Sequence, residues 1–177
     1  MGQGEMRNKV APVLIGLMGA GKSSVGRALA AALGLPFLDL DAYIVAQQGC
    51  TIPEIFAARG EQGFRAIESA ALQAVLGRRC VLATGGGIVL QARNRALLRA
   101  HPPVIWLRAH PAVLATRIAG DANRPLIAGG DALARLTELA AERDPLYAQC
   151  ADLVVDVDAL DVRQVVRRIL TLLARND

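Results

Sequence analysis

The stretch Val13 to Ser24 reads VLIGLMGAGKSS and contains Gly16, then Gly21, Lys22 and Ser23 in the pattern Gly-x-x-x-x-Gly-Lys-Ser. Each residue type has a use in holding a phosphate. Gly16, Gly19 and Gly21 allow backbone conformations that a side chain would forbid. The N–H groups of Gly19, Ala20, Gly21, Lys22, Ser23 and Ser24 can then converge on one anion at the positive end of a helix. Lys22 adds a mobile positive charge for the outer phosphates, and Ser23 offers a hydroxyl to Mg²⁺. The structural alternative is a plain glycine turn between a core strand and a helix. The apolar run before Gly16 and the helical spacing of Val25, Leu29 and Leu33 give the loop the strand–turn–helix setting that phosphate binding requires. Lysine occurs only at Lys9 and Lys22 in a chain that otherwise uses arginine, so Lys22 has a specific task.

Two carboxylates come next, in FLDLD at 37–41. The segment is predicted as a short strand, on which Asp39 and Asp41 face the same side. Both then sit at a strand's carboxyl end, where open parallel sheets bind ligands. One could hold Mg²⁺ and the other could accept a hydroxyl proton. The alternative for Asp41 is a cap on the following helix. Gly85-Gly86-Gly87 follows a buried strand at once. A turn needs one glycine, so three point to close approach of the backbone to a small polar ligand.

Arg65, Arg124 and Arg143 remain open on physical grounds. Arg65 could be solvated, with Glu61 or Glu68 as a surface partner. Arg124 precedes Pro125 in a glycine-rich loop that could carry charge onto a transferring phosphoryl group. Arg143 lies at a predicted helix end, where positive charge is favoured in any case.

The elements that would position these residues alternate in type. Strands are predicted at about 10–16, 37–41, 80–84, 104–107 and 152–157. Helices are predicted at about 22–33, 42–49, 51 to Gly60, 62–76, 92–99, 111–118, 131–143 and 161–175, with a loop over 120–131. Thr51, Pro53 and Glu54 form a helix start, and Gly34 and Gly49 form helix stops. Such alternation predicts one α/β domain over 1–177, its parallel strands joined by right-handed helical crossovers.

Composition excludes several classes. The chain has 177 residues, 53% hydrophobic but 3% aromatic, so its core is aliphatic. No apolar run reaches membrane-spanning length, and MGQGEMRNKV has no apolar segment of a signal peptide. A net charge of +4 suits anionic ligands. The arginines are scattered without interleaved aromatics, so no nucleic-acid platform is expected. Cys50, Cys80 and Cys150 have neither metal spacing nor disulfide pairing, which predicts a reducing cytoplasmic location.

Taken in order, GLMGAGKSSVGRALA at 16–30, FLDLD at 37–41, IFAARGEQGFRAIE at 55–68, TGGG at 84–87, NRPL at 123–126 and ERDPLY at 142–147 resemble the shikimate kinase family. The resemblance runs from about Val10 to Leu173. It implies a three-layer α/β/α P-loop kinase fold of the nucleoside-monophosphate-kinase type, with a five-stranded parallel sheet. It also implies a helical substrate-binding insert at about 41–76 and a lid at about 120–131. ATP-dependent phosphorylation of the 3-hydroxyl of shikimate, in aromatic amino-acid biosynthesis, is the implied activity, carried out by a monomer. By the same resemblance, Ser23 and Asp39 hold Mg²⁺, and Asp41 binds the shikimate hydroxyls as candidate base. Arg65 and Arg143 grip the carboxylate, with Gly85, Gly86 and Gly87 lining that pocket and Phe56 and Phe64 walling it. Arg124 reaches the phosphates from the lid, and Arg117 lies near adenine. The resemblance departs at 156–161, where many family members carry a basic adenine-packing loop and this chain has the acidic DVDALD. Gluconate kinase shares the loop and architecture but not the two-arginine clamp with TGGG. A non-catalytic ligand sensor would not need Asp39, Asp41, Lys22 and Ser23.

Overall fold

A computed structural model describes residues 11–119 and 131–176. Five strands, β1 (Val13–Ile15), β2 (Phe37–Asp39), β3 (Val81–Ala83), β4 (Val104–Arg108) and β5 (Leu153–Asp156), form one sheet in the order β2-β3-β1-β4-β5. Every neighbouring pair is parallel. The helices are α1 (Lys22–Leu33), α2 (Leu40–Gln48), α3 (Ile52–Val75), α4 (Ala92–Arg99), α5 (Pro111–Ile118), α6 (Ala132–Cys150) and α7 (Val162–Arg175), with a 3₁₀ turn at Ile88–Leu90. Parallel strands need helical crossovers that cover both faces, which is why β1, β3 and most of β4 read as unbroken apolar runs and are buried. Leu14, Ile15, Leu29, Leu72, Ile105, Leu107 and Leu114 form the aliphatic centre of the core. Because β1 is the middle strand, the loop that follows it emerges at the centre of the sheet's carboxyl edge. It is flanked there by the turns after β3 and β4. Helices α4, α5 and α7 have nearly the bounds expected from the sequence.

Two local expectations are corrected, and one open choice is narrowed. The strand at 37–41 stops at Asp39, whose side chain caps α2 by accepting the Ala42 N–H at 3.1 Å. Asp41 therefore lies in the first turn of a helix, and strand alternation does not relate it to Asp39. The capping role considered for Asp41 belongs to Asp39, a residue type suited to it. Arg143 is not at a helix end, because α6 continues to Cys150 with Pro145 inside it. Proline removes one hydrogen bond, to the carbonyl four residues back. Here that is the carbonyl of Ala141, an exposed residue, while continuing the helix buries Tyr147 completely beside Trp106, ring centroids 5.6 Å apart. Burial outweighs propensity at that point. Of the readings left open for Arg65, the solvated one does not hold, because the side chain is buried. Most of the loop at 120–131, with Arg124 in it, lies outside the described residues.

The break expected at Gly60 is present. Two helical stretches of α3 meet there, with Gly60 at φ 67° and ψ −178°. The first stretch is anchored by a capping box in which Thr51 and Glu54 bond each other's backbone N–H. No heavy atom lies near a side chain added at Gly60. Gly60→Ala therefore tests backbone strain alone, since this region is open essentially only to glycine. It should lower stability by about 1–3 kcal/mol, read from urea unfolding at unchanged m-value.

Candidate active site

The nucleotide half of the site is built by the turn from β1 into α1. Gly21 caps α1 in the left-handed conformation, and neither a capping side chain nor an acidic residue serves the helix's first turn. The free N–H groups of that turn point outward at the positive helix end, which is an anion site. Lys22 is buried and its Nζ donates to the carbonyls of Gly16 at 2.6 Å and Leu17 at 3.0 Å, so the ammonium is held over the loop. Ser23 Oγ donates to Asp39 Oδ2 at 2.6 Å, which brings a hydroxyl and a carboxylate together beside the loop. Both are hard oxygen donors of the kind Mg²⁺ takes alongside phosphate oxygens. Ala20 is buried under the loop and Ser24 is exposed beside it. Arg117 of α5 donates to Gly19 O at 3.4 Å and to Val157 O at 3.0 Å, tying the loop to the segment after β5.

That segment contains the acidic residues at which the family resemblance departs. Asp156 accepts two bonds from Arg108, at 2.6 and 2.9 Å. Asp158 accepts the His110 N–H at 2.8 Å, and Asp161 caps α7. The acids are engaged by β4, the start of α5 and the start of α7.

The second half is built around Gly85-Gly86-Gly87. A methyl group in place of the Gly85 hydrogen would lie 3.1 Å from Asp41 Oδ1 and 3.1 Å from Glu68 Oε2. At Gly86 it would lie 3.4 Å from an Arg143 terminal nitrogen and 3.5 Å from the Met18 N of the phosphate loop. At Gly87 it would overlap the Arg65 guanidinium. The three glycines are thus the surface against which Asp41, Glu68, Arg65 and Arg143 pack, and Gly86 adjoins the nucleotide half. Phe56 and Phe64 stack with centroids 4.7 Å apart, and the Arg65 guanidinium lies 5.3 Å over the Phe64 ring.

Arg65 and Arg143 are only 6 and 4% exposed. Buried guanidinium groups are costly unless paired. Arg65 is paired with Glu68 at 2.8 Å and, more loosely, with exposed Glu61 at 3.6 Å. Arg143 has no carboxylate partner among the described residues, and the Nε of both arginines lacks a hydrogen-bond acceptor there. Such an arrangement accepts a planar anion, to which a guanidinium fork is matched.

Glu68, 1% exposed, is the residue that sequence reasoning left on the surface. Its signal was present: Phe64, Glu68 and Leu72 are spaced by four, on one helical face, and all three are buried. Burial raises the Glu68 pKa above its ordinary 4.5, with the Asp41 charge adding to the rise and the Arg65 charge opposing it. The native state then binds more protons than the unfolded state just above pH 4.5, so stability falls as pH rises through that window. Glu68→Gln lacks this titration. Unfolding measured at stepped pH should show the unsubstituted protein losing stability relative to the variant as pH rises; parallel curves would contradict the assignment.

The family model for shikimate kinase matches residues 18–174. A shikimate kinase of Halorhodospira halophila is 50% identical over 161 residues, covering 90% of this chain and 91% of that protein. One of Bordetella avium is 47% identical over 158 residues, 89% of this chain and 76% of that protein. Among solved structures, a shikimate kinase from Acinetobacter baumannii in complex with shikimate superposes with a TM-score of 0.91 at 39% identity, covering 94% of each chain. A gluconokinase from Sinorhizobium meliloti, at 23% identity and a TM-score of 0.56 over 93% of this chain and 91% of that one, shares the fold. With phosphate loop, glycine turn and paired arginines assembled at one sheet edge, the chain belongs to the shikimate kinase family.

Proposed function

We propose that the protein transfers the γ-phosphoryl group of ATP to the 3-hydroxyl of shikimate, giving shikimate 3-phosphate and ADP. The observation that carries this reading is Arg143, a buried guanidinium without a carboxylate partner among the described residues, packed on Gly86 against the phosphate loop. It calls for a small anionic substrate lying beside the nucleotide. Arg65 and Arg143 bind the shikimate carboxylate, and Gly85, Gly86 and Gly87 let the ring approach the backbone. Phe56 and Phe64 supply the apolar wall.

Phosphoryl transfer asks little covalent work of a protein, so catalysis is positioning and charge stabilisation. The N–H groups of Gly19 to Ser24 and the Lys22 ammonium hold the phosphates, and Arg117 lies on the side where the adenine is placed. Ser23 and Asp39 would hold Mg²⁺, which neutralises charge on the phosphate oxygens when bound. Asp41 orients the attacking hydroxyl and accepts its proton. Arg124 is the further positive charge assigned to the transferring group. Every one of these residues comes from a single chain, so a monomer suffices.

No helix among the described residues is long and apolar enough to cross a membrane. The activity is checked by coupled ADP release with shikimate, gluconate and nucleoside monophosphates in parallel, where turnover should require shikimate. Asp41→Asn should reduce kcat by about 10²–10⁴ with the KM for ATP little changed. Near-normal turnover in that variant would remove Asp41 from its role.

A further inference from the structure

Tyr147 is completely buried and belongs to none of the groups assigned above. It follows Arg143 by four residues, so both project from one face of α6, and that face meets the glycine turn. The Tyr147 hydroxyl donates to the Gly86 carbonyl at 2.5 Å. A peptide unit is planar and trans, so the Gly86 carbonyl and the Gly87 N–H leave it in opposite directions. Holding the carbonyl therefore fixes where the Gly87 N–H points. Among the described residues nothing accepts the N–H of Gly86 or Gly87, which leaves both available to a ligand.

The next carbonyls of the turn are also drawn away from the site. Asn94 donates to Ile88 O at 3.0 Å, and Arg95 donates to Val89 O at 2.7 Å and Leu90 O at 3.2 Å. The turn is thus held by side chains behind it, and Tyr147 is the one that acts on the triple glycine itself. Glycine has no side chain and little conformational preference of its own, so the orientation of this peptide must come from such contacts. Burial pushes the phenol pKa of Tyr147 strongly upward, and the Arg143 charge opposes that push without cancelling it. Tyr147 therefore stays a neutral donor over the working pH range.

We infer that Tyr147 is a positioning residue for the acceptor substrate: its hydroxyl sets the Gly86–Gly87 peptide beside the Arg143 guanidinium, so that both present donors to the substrate carboxylate. Its ring has a separate task, packing on Trp106. Tyr147→Phe separates the two, because it keeps the ring and removes the hydroxyl.

The inference rests on the shikimate reading, and the test keeps the two apart. The unsubstituted protein is first assayed with shikimate and ATP; absence of turnover there counts against the proposed function and removes the basis of the inference with it. Given turnover, Tyr147→Phe should raise the KM for shikimate about tenfold, the effect of losing a hydrogen bond to an oriented donor set. The KM for ATP should stay within about twofold. Shikimate binding without ATP, followed by the fluorescence of Trp106, the sole tryptophan, should weaken by the same factor. An unchanged shikimate KM overturns the inference. So does a rise in both KM values together with a lowered Tm, or a variant that does not fold, since either makes the hydroxyl a support of the fold at large.

Discussion

A guanidinium taken out of water needs fixed partners, and this protein takes two of them out of water at one place. Arg65 has Glu68, itself buried. Arg143 lies at Gly86, whose carbonyl accepts from the Tyr147 hydroxyl, and has no carboxylate partner among the described residues. The two charges meet at a backbone surface that only glycine can provide, because any side chain at residue 87 would displace the Arg65 head group. Much else in the architecture serves this meeting. The kinked α3 supplies Arg65 and Glu68, the uninterrupted α6 supplies Arg143 and Tyr147, and β3 delivers the turn between them. In surroundings of low dielectric an anion completes such a cluster more strongly than it would at an exposed surface.

Positive charge also organises the nucleotide side, with a different division of labour. There the helix end, Lys22 and Arg117 face the loop. The acidic segment after β5 is held by Arg108, His110 and the first turn of α7. Its charges are satisfied locally. The link from this segment to the phosphate loop is made by a backbone carbonyl, that of Val157, and a carbonyl is available whatever the side chain. That connection therefore does not depend on the acidic side chains around it.

The element order, the parallel sheet and the phosphate loop were all legible in the sequence, because apolar runs and glycine punctuation are local signals. What was not legible depended on competition between local rules and burial. Asp39 ended β2 early since its carboxylate had a helix N-terminus to cap, and alternation along FLDLD gave no hint of that. The sequence places a helix end near residue 143, whereas the burial of Tyr147 carries the helix on through Pro145. Arg65 read equally well as solvated or as ligand-binding, because spacing alone does not say that a charged residue lies inside. The family resemblance points to binding, and the structure removes the solvated alternative, since Arg65 is buried against the glycine turn.

The central position of β1 has a consequence for how the chain acquires this shape. Val13 pairs with Leu82 on one side and Val104 on the other, so both ladders of the middle strand join distant parts of the sequence. Neither can form until a long intervening segment has been gathered, at a loop-closure cost that slows assembly. Until then the most apolar strand has exposed edges, open to pairing with another chain. Refolding at high protein concentration is therefore where this topology is most vulnerable to aggregation.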